Sequence, residues 1–362
     1  MSLDTAETDA DADGAVAGRV RHRAEIAGLG LTAALAVLML LFILVDWLRL
    51  TGTPLAPAAT AVFDAFIAAG GGLDTLLGTR VFRSPGTVRI VATGVLIGIV
   101  GPLVGTFLVH RQMALIGETL AHTAFAGVAV GIVVAGLTGL AGTQDQLIFV
   151  AFVVSALAAL GLQQLTEHTE SYGDVPIAIV LTGSFAVGTL LISMFRDRVA
   201  IGIEIEDFLF GEIAIVTVEG TRMVAVLSIA VVALVIANYR QFFFITFDEQ
   251  AARVARLNVS GYNSLLIVMT SVVVVGAMQI LGVILVAGLL VIPAAAASQL
   301  GRNFRETIYL SVLLGQLSVL LGLFVALVGS LPAGGSIIVV AIAVYILAVA
   351  VSDRELGQLS IH

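Results

Sequence analysis

Two side chains with metal-binding chemistry, Glu118 and His122, lie in an otherwise apolar stretch of the chain, 117-GETLAHTAFAGVAVG-131. Residues four positions apart share one face of a helix, so this carboxylate and imidazole can both ligate one divalent cation such as Zn²⁺ or Mn²⁺. Inserting an ionisable residue into a membrane costs about 2.5–3.5 kcal/mol, so such residues usually face a cavity or the bundle interior. A structural interpretation is also open, in which Glu118 caps the helix start and His122 is an ordinary buried histidine.

The pair is not a complete metalloenzyme site. The sequence contains no HExxH motif, which would place two zinc ligands and a general base on one helix. Two residues also leave the coordination sphere of a metal incomplete. The pattern therefore favours a transient contact on a metal path over an intramembrane metalloenzyme.

Four further residues are candidates for a path, each with a second interpretation. Arg111 either supports the path by pairing with Glu118 or serves as a topology anchor near the membrane surface. Asp174 begins an apolar span, where helix capping is the default role of aspartate. Glu206 and Asp207 either attract cations to an external entrance or belong to a solvated acidic loop.

The elements that must position these residues are membrane helices. The chain has 362 residues, of which 59% are hydrophobic and only 12% charged, and its mean hydropathy is +1.10. Soluble domains are about 45–50% apolar and about 25% charged. We therefore predict an all-α, polytopic membrane protein with about 8–10 transmembrane helices of roughly 20 residues each. The predicted spans are 27–48, 88–109, 118–140, 146–165, 175–195, 222–238, 264–282, 283–300, 306–329 and 334–351.

The segments outside these spans are polar or rich in glycine and proline. Residues 1–25 predict an acidic, disordered tail, and residues 352–362 a second tail. Residues 26–87 predict an additional N-terminal transmembrane helix followed by an external connection, in which 60–70 is either an interfacial helix or a plain loop. Arginines before the first span and in several later loops predict that the N-terminus and the C-terminal tail are cytoplasmic.

Composition excludes several functions. The net charge of −8 argues against nucleic-acid binding. There is no cysteine, which excludes disulfides and thiolate metal ligands. All 17 cationic residues are arginine, so a Walker A lysine cannot be present and an ATPase would have to be another chain. A lysine-free, acidic chain also suggests a high-salt cytoplasm.

One charged segment between spans has a helical pattern. The stretch 247-FDEQAARVARLNV-259 has an acidic start, an alanine-rich interior and arginine near its end, as the helix dipole favours. It is too short and too charged to span a membrane. We expect a small cytoplasmic helix that lies against the membrane surface or a partner protein.

Four stretches resemble, in order, motifs of the zinc/manganese ABC-importer permeases. They are 102-PLVGTFLVHRQMALIGETLAHTAFAGVAVG-131, 174-DVPIAIVLTGSFAVGTLLIS-193, 207-DFLFGEIAIV-216 and 281-LGVILVAGLLVIPAAAASQL-300. The segment 247–259 is similar to the family's cytoplasmic coupling region. The resemblance covers about residues 88–351 and leaves the first span and residues 50–87 outside it.

The resemblance implies a type II ABC importer permease with a vitamin-B12-importer-like fold in the cell membrane. Such a permease acts as a homodimer within the lipid bilayer, with two cytoplasmic ABC ATPase subunits and an extracellular metal-binding lipoprotein. It is not itself an enzyme and binds no permanent cofactor, because zinc or manganese is the transported ion. The residues 88–351 would form this metal-transport domain.

Site residues follow from the resemblance position by position. His122 matches the family's histidine on the metal path, and Glu118 stands where the family has aspartate, which leaves ligand distance and metal selectivity open. Arg111 matches the second arginine of a family pair whose first position is His110 here. The residues expected at the ATPase contact are Phe247, Asp248, Glu249, Arg253 and Arg256.

Two other transporter classes remain open. One is a secondary transporter that acts alone, although no convincing inverted repeat is present. The other is an ABC permease for haem, cobalamin or a siderophore, whose path needs no Glu/His pair. Oxygen and nitrogen ligands also suit zinc, manganese and iron alike, so the pattern does not select the metal.

Overall fold

A computed structural model describes residues 3–78, 82–138, 175–195 and 216–359, together with part of 150–164. Throughout these residues the regular structure is helical. The helices are α1 (Leu3–Leu48), α2 (Ala56–Leu77), α3 (Pro85–His110), α4 (Ala114–Thr138), α5 (Val175–Phe195), α6 (Val218–Ala237), α7 (Tyr239–Phe247), α8 (Glu249–Val254), α9 (Val259–Leu281), α10 (Val283–Leu300), α11 (Phe304–Gly329) and α12 (Ala333–Leu359).

The polytopic helical fold is confirmed. Eight of the described helices are long and apolar enough to cross a membrane: α1 from Ala27, α3, α4, α5, α6, α9, α11 and α12. The described part of α10 is an apolar helix below that length. The predicted span 146–165 falls mostly outside the described residues.

Helix α3 lies at the centre of the bundle and packs against α6, α9, α10 and α11. Its Pro102 lacks an N–H, so the carbonyl of Gly98 has no partner within the helix. At this point α11 comes very close, because a Cβ on Gly315 would lie 2.2 Å from Pro102 Cγ. Ser311 on α11 donates a hydrogen bond to the Pro102 carbonyl at 3.1 Å. Pro102 and Gly315 therefore mark the place where α11 packs on α3.

The predicted division of 264–300 into two segments is confirmed. Helix α9 ends at Leu281 and α10 begins at Val283, with Gly282 between them at φ +78° and ψ 161°. This backbone conformation is accessible essentially to glycine alone. The helix breaks there, and both α9 and α10 pack against α3 and α4.

The two ends of the chain differ from the prediction. Helix α1 begins at Leu3 and so runs through the segment expected to be disordered, and α12 continues to Leu359 within the expected C-terminal tail. Alanine-rich residues next to a membrane helix extend it readily, since propagation adds a hydrogen bond for each residue fixed.

Residues 56–77, expected to be part of an external connection, form α2, which packs on α1 through Phe42 and Phe66 with ring centroids 5.0 Å apart.

Candidate metal path and coupling platform

Glu118 and His122 occupy the second and third turns of α4. Glu118 is exposed, whereas the three residues that follow it, Thr119, Leu120 and Ala121, are buried. His122 is half-buried and lies one turn further on. The two side chains thus share the outward edge of α4, as their spacing predicts.

His122 has an orphaned nitrogen. Its Nδ1 is buried and has no hydrogen-bond partner within the described chain. The ring stands edge-on to Phe185 of α5, with centroids 5.1 Å apart and an interplanar angle of 81°. A buried polar atom without a partner costs about 1–3 kcal/mol. An imidazole nitrogen in this condition can ligate a cation that comes to it.

The capping interpretation of Glu118 is wrong. Helix α4 begins at Ala114, so its first turn carries no acidic residue, and Glu118 lies beyond the exposed N–H groups that a cap would satisfy. Among the described residues no cluster of three potential metal ligands is present. Glu118 and His122 are therefore an incomplete pair of possible ligands among the described residues, and Glu118 is the exposed member.

Arg111 lies in the turn between α3 and α4, where it contacts Asn263 and Glu249, and its support of a metal path stays a prediction. Its Nη2 donates to Asn263 Oδ1 at 2.8 Å and lies 3.5 Å from Glu249 Oε2. The side chain is only 8% exposed. Burial lowers the pKa of the guanidinium, and the Glu249 carboxylate opposes this shift. Arg111 thus ties the α3–α4 turn to α8 and to the start of α9.

The predicted helix 247–259 is interrupted. Within it Glu249–Val254 forms the separate short helix α8, whereas Phe247 is the last residue of α7 and Val259 the first residue of α9. Asp248 lies outside helical geometry and caps α8, accepting a hydrogen bond from the Ala251 N–H at 2.7 Å. Arg256 adopts φ +60°, a left-handed conformation that ends the helix. The charge pattern located this helix correctly, but local backbone conformation at its two ends shortens it.

Helices α7 and α8 form a small platform at one end of the bundle. Glu249 and Arg253 pair on its surface at 2.6 Å. Apolar side chains nevertheless remain exposed there, since Phe247 is 58% and Val254 85% exposed. Such a mixture of exposed apolar and charged groups is typical of a protein-binding surface.

An aromatic cluster joins this platform to α3. Phe247 packs edge-on against Phe304 at 5.2 Å, and Phe304 in turn contacts His110 at 4.9 Å and Phe107 at 5.3 Å. The sequence analysis missed Phe304 and Asn263 as parts of this region. Neither stands in a motif, and their contacts with residues far away in the chain, such as Asn263 with Arg111 and Phe304 with Phe107, arise only from the fold.

Three predicted candidates cannot be placed. Asp174, Glu206 and Asp207 lie outside the residues that the structure describes.

Comparison with known proteins agrees with the fold. The family model described as the ABC 3 transport family matches residues 85–352. The manganese transport system membrane protein MntC of Listeria monocytogenes is 28% identical over 267 residues, covering 74% of this chain and 91% of the relative. The high-affinity zinc uptake system membrane protein ZnuB of Buchnera aphidicola is 26% identical over 247 residues, covering 68% and 90%. The solved structure of PsaBC from Streptococcus pneumoniae matches with a TM-score of 0.62 and 27% identity, covering 73% of this chain and 90% of that one.

Proposed function

The chain belongs to the ABC 3 transport family, and on this basis we propose that it is the membrane-spanning permease subunit of an ATP-driven importer of manganese or zinc. The observation that supports a metal ion as the cargo is the pair Glu118 and His122 on α4. An exposed carboxylate and an imidazole with an orphaned nitrogen lie one turn apart on a helix of membrane-spanning length.

An incomplete ligand pair suits a transport path. A closed four-ligand site would hold a divalent ion tightly, whereas two ligands per chain bind it weakly enough to release it. Two copies related by a two-fold axis would bring two carboxylates and two imidazoles to one place, because each copy presents the same edge of α4. The ion is cargo in this scheme and not a resident cofactor.

The platform of α7 and α8 is the proposed contact with the ATPase subunits. Its exposed Phe247 and Val254 would dock on the partner, while Arg111 and the Phe304 cluster transmit the motion to α3 and α4. ATP-driven closure of two ATPases would then shift the helices that carry Glu118. In this scheme the platform end of the bundle is cytoplasmic. The N-terminus would also be cytoplasmic, because Asp46 near the end of α1 pairs with Arg89 near the start of α3, so the two helices run in opposite directions.

The remaining partners follow from this assignment. An external metal-binding lipoprotein would deliver the ion at the opposite end of the bundle in the cell membrane. The permease performs no covalent chemistry, and ATP hydrolysis takes place on the partner chain.

Uptake into vesicles tests this function. The chain is reconstituted with its ATPase, and ATP-dependent accumulation is measured for a panel of manganese, zinc and iron. We expect uptake of manganese or zinc in the wild type and a loss of at least tenfold in Glu118→Ala/His122→Ala. The matched control is Leu115→Ala, which removes an exposed side chain from the start of the same helix and should leave uptake unchanged.

Two outcomes would contradict the proposal. Uptake that proceeds without ATP or an ATPase would indicate a secondary transporter. Undiminished metal uptake in an assembled double variant would exclude the Glu118–His122 path.

A further inference from the structure

A large apolar cavity lies between α1 and the rest of the bundle. It has a volume of about 780 Å³, within the range of cavities that hold sizeable organic ligands. Helices α1, α3, α6 and α11 wall it, and the lining includes Ala36, Leu40, Ile99, Leu103 and Val232. The side walls formed by α6 carry Ile229 and Ile236, which are 54% and 71% exposed, so the cavity is open laterally.

The cavity has a polar rim at the end nearest the α7–α8 platform. Arg305, Tyr239 and Tyr309 line it there. The Arg305 guanidinium lies 6.0 Å from the centre of the Tyr309 ring. Burial raises the pKa of Tyr239, with the charge of Arg305 opposing the shift. Two phenol groups and one guanidinium thus surround the mouth of an otherwise apolar space.

Arg305 has no carboxylate partner in the part of the chain that the structure describes. Ion pairs there join other arginines, such as Arg89 with Asp46 and Arg253 with Glu249. A cation at the rim of an apolar cavity near the membrane surface is complementary to an anionic headgroup. Tyrosine also favours this interfacial depth, since its ring is apolar and its hydroxyl is polar.

Water is a poor occupant for this space. Fifteen of its twenty lining residues are aliphatic, and a water molecule needs two to four polar partners. A lipid acyl chain, by contrast, satisfies the walls by dispersion contact and is present throughout the bilayer that these spans occupy. Lateral opening between α1 and α6 supplies the route by which a chain enters.

We propose that this cavity binds one anionic phospholipid, with an acyl chain between α1 and the permease helices and the phosphate on Arg305. The site is independent of the metal path on α4. It includes a wall from α1, a helix outside the segment 85–352 that matches the family. The lipid therefore completes the packing of the additional helix on the family domain.

Native mass spectrometry of the purified full-length chain tests the site. The protein is equilibrated with vesicles of equal parts phosphatidylglycerol and phosphatidylcholine, and the lipids that remain bound after detergent extraction are counted. We expect one tightly held lipid per chain, with phosphatidylglycerol preferred about fivefold, as about 1 kcal/mol for one arginine near the surface implies.

Two matched pairs of variants distinguish the contribution of the headgroup to lipid binding from that of the acyl chain. Arg305→Gln should abolish the preference for phosphatidylglycerol, whereas Arg302→Gln, an exposed arginine three residues earlier that does not line the cavity, should retain it. Ala36→Phe should fill the cavity and lower retention of both lipids, whereas Ala34→Phe, which points away from it, should not.

The proposal is overturned if Arg305→Gln keeps the phosphatidylglycerol preference or if Ala36→Phe retains lipid like the wild type. Equal retention of both lipids by the wild type would also overturn it, because that result describes ordinary boundary lipid. Metal uptake does not enter these measurements, so their outcome is distinguishable from that of the proposed function.

Discussion

His122 is the residue whose environment is least explained by packing alone. A buried ring nitrogen that served only structure would be expected to have a hydrogen-bond partner, yet Nδ1 of the half-buried His122 has none among the described residues. The ring is held by Phe185, and its neighbour Glu118 is exposed. The free-energy cost of the orphaned nitrogen is consistent with a role that stability does not require.

Because Nδ1 of His122 is unpaired, substitution of His122 should impair transport without lowering stability. Replacing His122 by Leu removes the unpaired polar atom while keeping the apolar contact with Phe185, so the free energy of unfolding should be unchanged or rise by up to about 1–3 kcal/mol. Metal uptake should fall at least tenfold. Denaturant unfolding and vesicle uptake measure the two quantities. A marked loss of stability with uptake retained would show that His122 is structural.

At the scale of elements, the turn between α3 and α4 is joined to α8 by one buried guanidinium. Arg111 contacts both Asn263 and Glu249, whereas Arg253 contacts Glu249 on the surface. Exposed i,i+4 pairs contribute only about 0.3–0.5 kcal/mol. Hydrogen bonds to a charged group contribute about 1.5–3 kcal/mol, and the side chain of Arg111 is largely removed from solvent.

We therefore expect Arg111→Ala to uncouple ATP hydrolysis from transport. The ratio of ions imported to ATP hydrolysed should drop severalfold while the ATPase still turns over, because the platform remains but its link to α4 is lost. Arg253→Ala is the control and should alter the ratio little. Parallel assays of uptake and phosphate release give both numbers. Equal effects of the two substitutions would refute the link.

A second element-scale feature is the contact between α3 and α10. A Cβ on Gly105 would lie 1.8 Å from the carbonyl oxygen of Leu290, a backbone atom that cannot move aside without shifting α10. Gly30 on α1, in contrast, has open space within 4 Å of the corresponding position.

Alanine at these two glycines should act in opposite directions. Gly105→Ala should destabilise the bundle by about 1–3 kcal/mol or more through overpacking. Gly30→Ala should be neutral or stabilise by up to about 1 kcal/mol, because alanine has the higher helix propensity. Thermal unfolding in detergent compares them directly. A tolerated Gly105→Ala would mean that α3 and α10 are further apart than described.

At the scale of the whole molecule, the additional helices α1 and α2 are fastened to the family domain by a buried ion pair. Asp46 is 3% exposed and binds Arg89 of α3 through two contacts, 2.6 Å and 3.2 Å long. Arg49 also pairs with Asp46 and stacks over Phe63 of α2, 3.7 Å from the ring centre. The charge of Arg89 is thus neutralised by this carboxylate.

Removing one partner of the Asp46–Arg89 pair should lower the free energy of unfolding far more than removing both partners. Asp46→Ala leaves Arg89 with an unpaired, largely buried charge, so we expect a loss of about 3–5 kcal/mol. Asp46→Ala/Arg89→Ala should recover a substantial part of it. A double-mutant cycle on the free energy of unfolding measures the coupling. Strictly additive losses would show that the two groups do not interact.

Local properties of the sequence determined the class of this protein and the shared face of its candidate ligands. Span length, the 3.6-residue period that places Glu118 and His122 on one face, and the glycine at position 282 each act within about one helix. These features predicted the all-helical bundle, the break before α10 and the position of the charged segment near α8.

Only the tertiary structure decided which distant residues meet. Arg111 lies beside Asn263 and Glu249 rather than Glu118, Asp46 beside Arg89, and Phe304 between Phe247 and His110. Lipid-facing and protein-facing residues are equally apolar in a membrane protein, so hydrophobic pattern carries little information on helix neighbours. Close backbone approach at glycines and the few buried charges select those neighbours, and both depend on atoms far apart in the chain.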